Sequence, residues 1–339
     1  MTTPVFDPER SLGWRDGPLD GITCLLRCVE AVLRSRGYGP IDVARCLGGE
    51  LDLLGRDMAL EFPGCRLGWR FADHGAQNWP FVVERVGAGE PVIIMPDLYH
   101  YPGSYYEGLY HYHDHAVLAV GWDPGSETLA VLDTLAPPDE GYRRELPKTP
   151  QLVASCTRVT RVEVTAEADR RPSRDYAAEQ IERHTATVAA DARALRRLLD
   201  SFAAAGMDGV TARAVNLLVL GHLQPLLFLF GSSIDADADA RLLDVRRAAL
   251  SAATKAGWFG RALIVGHNDH VDPAPHYRRA LTIAPGMLDA LDNLADAMSR
   301  AGGDARVSVE RADAADAALH TRFREIVHIC YSSPSEAIP

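Results

Sequence analysis

TCLLRCVEAVLRSRGYG, residues 23–39, places a cysteine in the first turn of a well-marked helix. Leu25, Leu26, Val29, Val32 and Leu33 fall at i, i+1, i+4, i+7 and i+8, so one face of that helix is apolar. Asp20 or Thr23 is suited to cap its start, and Gly37 stands where a C-terminal cap belongs. At a helix start, unpaired N–H groups and the macrodipole favour an anion. That lowers the pKa of a thiol and populates the nucleophilic thiolate, and the same N–H groups could hold an oxyanion. Cys24 is therefore the candidate nucleophile, against the plain alternative of a small buried hydrophobe. Cys28, one turn later, is a rival but sits away from the helix start, and is read as core or near-core.

Strand signals follow downstream. PVIIMPDLY (91–99) reads as a buried strand, and HAVLAVGWD (115–123) as another. A turn at PGS then leads into TLAVLDT (128–134), which pairs back as a hairpin. His115 begins its strand, a rigid mount for a general base, and imidazole is the natural proton acceptor for a thiol. Asp133 ends the next strand, placed to hold the far ring nitrogen of His115, although a strand-end Asp also serves as an ordinary turn former. The order Cys, His, Asp carries more weight than any one of the three. His111 and His113 share a face with His115 if the strand extends backward. Three histidines on one face could bind zinc, but with no supporting cysteine or carboxylate at ligand spacing the expectation is a polar rim, with no metal and no cofactor. The tyrosine-rich run YHYPGSYYEGLYHYH (99–113) reads as a loop over the site. Asp97, Tyr99, Tyr101, Tyr110 and His113 are expected to line the substrate pocket.

GITCLLRCVEAVLRSRGYG, then GEPVIIMPDLY, then HAVLAVGWDPGSETLAVLDT, together resemble the N-terminal domain of the butirosin-type, carrier-protein-dependent acyltransferases. That family is related to the leader-processing peptidases of the papain-like cysteine protease superfamily. The resemblance covers about residues 15–165. It implies a papain-like domain in which Cys24 is the nucleophile, His115 the base and Asp133 the orienting acid. It also implies transfer of an acyl group from an acyl carrier protein thioester to an amine of a natural-product acceptor, in secondary-metabolite or antibiotic biosynthesis. The stretch GWRDGPLDGIT before the cysteine has neither the glutamine common in papain-like hydrolases nor an asparagine. Oxyanion donors would then be backbone N–H groups or a distant side chain. A cysteine peptidase, amidase or thioesterase is the alternative, and a non-catalytic binding protein on the same fold the second alternative.

The expected fold class is α+β: a domain over 1–168, then a mostly α-helical domain over 174–332 that serves as an acceptor or partner-binding region. The junction EADRRPSRD is polar and contains Pro172. Helices are expected at 174–204, 209–230 (interrupted at Pro225), 236–256, 274–300 and 311–325, with a loop over 265–273. HNDH (267–270) in that loop reads as polar loop rather than ligands. DADADARLLDVR (235–246) begins like a calcium loop, but Ala240 and Arg246 replace the required Gly and Glu, so acidic residues entering a helix are the better account.

With 47% hydrophobic and 24% charged residues the chain is a globular protein, and its net charge of −11 opposes general nucleic-acid binding. Six dispersed cysteines suit a reducing cytoplasm better than a disulfide framework. The N-terminus shows no signal-peptide pattern. AVNLLVLGHLQPLLFLFG (214–231) is interrupted by polar residues and Pro225, so it reads as two buried helical segments rather than a membrane span. Arg170, Arg171 and Arg174, or Arg193, Arg196 and Arg197, are candidates for docking an acidic carrier, against a solvated helix face. The oligomeric state is open, a homodimer being allowed. No GxSxG, GxxxxGK[ST] or dinucleotide fingerprint occurs.

Overall fold

The computed structural model describes residues 23–48, 51, 53–54, 62, 64–104, 106–109, 111–113, 115–136, 142–164, 173–268 and 274–332. It is a mixed α+β protein divided into two compact units, residues 1–47 with 60–169, and residues 48–59 with 170–339. The uninterrupted first domain expected from the sequence is thus broken by an excursion. Leu51, Leu53 and Leu54 belong to the core of the helical unit. Arg170 and Arg171, Tyr110 and Asp20 lie outside the described residues.

The first unit is built on a six-stranded sheet ordered β1-β6-β2-β3-β4-β5, with every neighbouring pair antiparallel. The strands are β1 Cys65–Phe71, β2 Val92–Met95, β3 Val117–Asp123, β4 Thr128–Leu132, β5 Arg143–Pro147 and β6 Arg158–Val164. Helices α1 Cys24–Ser35, α2 Pro40–Leu47, α3 Trp79–Gly87 and α4 Pro150–Ser155 surround it. Strand alternation sorts the side chains: Val92, Ile94, Val117, Ala119, Leu129 and Val131 join Trp79, Val82 and Val86 of α3 and Leu152 of α4 in one core. Ile93, Leu118 and Leu132 point the other way and are equally buried, on the side where α1 lies against β3 and β6. Each such side chain contributes about 1.5–3 kcal/mol of transfer free energy.

Thr23 caps α1, its hydroxyl accepting from Leu26 N–H at 3.4 Å. Gly37 closes the helix at φ +90, a conformation that favours glycine. The helix is buried on more than its apolar stripe, because Arg27 and Glu30 pair at 2.9 Å inside the unit and compensate each other's charge.

The strands are shorter than their apolar runs. Residues 91–99 hold only the four-residue β2, followed by a 3₁₀ turn at Leu98–His100. Strand β3 begins at Val117, so His115 precedes the ladder, and Asp133 follows the last residue of β4.

The second unit comprises α5 Ser173–Ala205, α6 Gly209–Leu218, α7 Gln224–Ser233, α8 Ala240–Asn268, α9 Ala274–Arg300 and α10 Val309–Ser332. A π turn at Val219–Leu223 joins α6 to α7, Gln224 N–H reaching back to the Val219 carbonyl. Pro225 has no N–H for the carbonyl four residues back, and the wider turn absorbs that loss. The expected break is therefore a π turn within a continuous run. Gly209–Ser233 is long and apolar enough to cross a membrane, and 67% of its most apolar window is buried inside the unit, as in a core helix. Asp239 caps α8 by accepting from Arg241 and Leu242 N–H, in line with acidic residues entering a helix. The expected loop over 265–273 starts later, because α8 continues to Asn268, and residues 269–273 lie outside the described ones. Of the second arginine trio, Arg196 bonds Asp289 and Asp292 and Arg197 bonds Asp316, leaving Arg193 as the exposed member outside these pairs.

Candidate active site

Three elements of the first unit deliver Cys24, His115 and Asp133 to one point. Cys24 is the first residue of α1 and is partly accessible. His115 sits two residues before β3, buried, with its imidazole hydrogen-bonded to the Cys24 sulfur. On its other side, His115 Nε2 lies 2.7 Å from Asp133 Oδ1. Proton exchange with the thiol therefore falls to Nδ1. The three residues singled out in the sequence converge as a thiol, an imidazole and a carboxylate in one hydrogen-bonded chain, an arrangement suited to nucleophilic chemistry.

The backbone supports the sulfur directly. Ala116 N–H donates to Cys24 Sγ at 3.3 Å, and Leu25 N–H also donates to it. Burial alone would raise the Cys24 thiol. The hydrogen bond and charge of His115, joined by these two amides, outweigh it and hold the thiol below its ordinary value. Burial likewise opposes the imidazolium, but the bonds to Asp133 and Cys24 raise His115 to about 9. Both directions favour a thiolate–imidazolium pair. Cys28 is the opposite case: burial, followed by the nearby Cys24 and Asp133 charges, pushes its thiol well up. It is core, as expected.

Asp133 has no exposed surface and is held from four directions. Oδ1 takes His115 Nε2 and, at 2.8 Å, the Leu135 N–H. Oδ2 accepts the Tyr101 hydroxyl at 2.8 Å, with Arg144 Nε at 3.6 Å. Burial would raise this carboxyl, yet the His115 hydrogen bond and the other donors bring it below its ordinary value. Arg144 is itself anchored by the carbonyls of Pro102 and Leu135.

The expected pocket residues separate. Tyr101 is fully buried and spent on Asp133, so it supports the triad instead of lining a substrate pocket. Burial and the Asp133 carboxylate hold its phenol well above the ordinary value, keeping it a donor. Tyr99 is half-buried and stacks on His111 with ring centroids 4.3 Å apart. Asp97 is buried, and its Oδ1 accepts from Tyr99 and Tyr112 N–H. Its Oδ2 meets His111 Nδ1 at 2.5 Å and His113 Nε2 at 3.9 Å. His113 is exposed, and Tyr110 lies outside the described residues. The three histidines do not share a strand face: 111–113 lie outside the ladder, and His115 turns to the triad.

Sequence reasoning missed Arg144 and the Ala116 amide. The first reaches Asp133 from β5, with no motif to announce it. The second follows from His115 preceding the strand, which lets the next amide turn toward the sulfur. Compared with known proteins, the chain matches no protein-family model, and no curated protein matches it at a significant level.

Proposed function

We propose that this protein is a cysteine-dependent acyltransferase on a papain-like N-terminal domain, moving an acyl group from a carrier-protein thioester through Cys24 to an amine of a small natural-product acceptor. The observation that carries the cysteine chemistry is the Cys24–His115–Asp133 chain, with a 2.7 Å bond between its last two members. The choice of thioester donor and amine acceptor rests on the resemblance of residues 15–165 to the butirosin-type acyltransferases.

The proposed steps balance. The Cys24 thiolate adds to the thioester carbonyl, the carrier thiolate leaves, and the His115 imidazolium protonates it. The amine then attacks acyl-Cys24, His115 takes its proton, and the Cys24 thiolate departs from the new amide. Thioester exchange is nearly balanced, and amide formation drives the second half. The N–H groups of Leu25 and Ala116 donate to the sulfur, and an acyl oxygen on Cys24 would lie within reach of the same two donors. Asp133 keeps the imidazole oriented and its charge stabilised.

The test supplies an acyl thioester, carrier-bound or on a small thiol, with and without a panel of amines. Amide product that requires Cys24 supports the proposal. Release of free acid at a rate no amine changes would replace it with a cysteine hydrolase.

A further inference from the structure

We propose that Asp97, His111 and His113 form a second site, which binds a divalent transition ion of the zinc class through two imidazole nitrogens and one carboxylate oxygen. Their ligand atoms all lie within 4.8 Å of one another. Around a tetrahedral zinc with bonds near 2.0–2.1 Å, ligand atoms stand about 3.3 Å apart. The His113 Nε2–Asp97 Oδ2 separation of 3.9 Å and the His111 Nδ1–Oδ2 separation of 2.5 Å bracket that value. Side-chain rotation of the two histidines, with the buried carboxylate held in place, would bring the three ligand atoms toward that spacing. The ion would take the place of the proton that His111 now shares with the carboxylate.

The support around these ligands resembles that of a metal centre more than that of a casual surface pair. The Asp97 side chain is only 4% exposed, whereas His111 and His113 are 40% and 55% exposed, so the anion is built in and the entry side is open. Two backbone donors, Tyr99 and Tyr112 N–H at 3.0 and 3.1 Å, hold Oδ1 and leave Oδ2 to face the imidazoles. Such outer contacts orient a carboxylate ligand. Tyr99 stacks on His111 with planes 13° apart, which restrains that ring, and the His113 ring lies nearly parallel to it at 14°. Leu98 N–H bonds the Tyr112 carbonyl, tying the segment that bears the histidines to the one that bears Asp97.

Three protein ligands leave a fourth position for water or an anionic ligand, and an N₂O set suits zinc, cobalt(II) or nickel(II) better than magnesium or calcium. His115 takes no part, because its ring is engaged by Asp133 and Cys24. The proposal therefore stands or falls separately from the acyl-transfer reading.

The experiment titrates Zn²⁺ and Co²⁺ into the full chain by calorimetry and visible absorption. The wild type is compared with Cys24→Ala, which removes the competing thiolate, and with His111→Ala and His113→Ala made in that background. Expected is one equivalent bound with Cys24→Ala matching wild type, Co²⁺ developing the visible bands of a low-coordinate N/O site. Each histidine variant should weaken binding at least tenfold. The histidines are exposed, so the variants keep the fold, which circular dichroism checks. No stoichiometric binding, or binding unchanged in both histidine variants, would overturn the proposal.

Discussion

Asp133→Asn tests how the reacting pair is sustained. Asparagine has the shape of aspartate, and its carbonyl oxygen can still accept from His115 Nε2 and the Leu135 N–H, now at 2.7 and 2.8 Å. Its amide nitrogen can donate to the Tyr101 hydroxyl oxygen. What disappears is the negative charge beside the imidazolium. A hydrogen bond to a charged group exceeds a neutral one by about 1–1.5 kcal/mol, which sets the lower bound. Coulomb attraction at this separation with an effective dielectric near 20 gives about 6 kcal/mol, a ceiling that the neighbouring Arg144 cation already reduces. At about 1.4 kcal/mol per pH unit, the midpoint of Cys24 alkylation should rise by at least about one pH unit. Iodoacetamide inactivation measured across pH, with labelling mapped to Cys24, reads this directly. Below the wild-type midpoint the variant should react about tenfold more slowly, with unchanged circular dichroism. A profile superimposed on that of the wild type would refute the role given to Asp133.

Other outcomes follow from the same contacts. Tyr101→Phe removes one donor from a fully buried carboxylate, and should cost about 2 kcal/mol, or roughly 4–8 °C in Tm. An unchanged Tm would mean that the hydroxyl bond is not needed. The pH dependence of alkylation has a definite sign. The reactive form is the thiolate, and Cys24 is held below its ordinary value, whereas burial raises Cys46 to about 11 and Cys65 and Cys156 to about 12. Limiting iodoacetamide at neutral pH should therefore label Cys24 first. Its rate should persist to lower pH than a free thiol, which loses about tenfold per unit below its pKa near 8.5. A Cys24 profile that tracks a free thiol would contradict the ion pair.

Much of the site is legible in the sequence because it is written in local signals. Thr23, the apolar spacing through Leu33, and Gly37 define a helix with Cys24 at its start, and turn residues between two apolar runs define the β3–β4 hairpin. His115 and Asp133 flank that hairpin, so one correct pairing brings them close. Less legible is where the ladder stops. Pro96, Leu98 and Ala116 are buried and apolar, yet burial alone does not make a residue pair in a sheet, so apolar runs overstate strands at both ends. Tyr101 shows a related limit. A tyrosine in a polar, glycine-containing loop reads as pocket lining, and only the tertiary packing reveals that its hydroxyl is spent on Asp133. Long-range company is hardest to read. Asp97 lies 14 residues before His111, in a different segment, and Leu51, Leu53 and Leu54 join the helical core because their apolar side chains bury there, with no boundary signal on either side.

The central claim is that Cys24 carries the acyl group. Wild-type protein incubated with an acyl thioester and no amine, then examined by intact mass and peptide mapping, should gain one acyl group on Cys24. The adduct should be missing from Cys24→Ala and strongly reduced in His115→Gln, and adding an accepting amine should discharge it. An adduct of equal yield on Cys24→Ala would contradict the account.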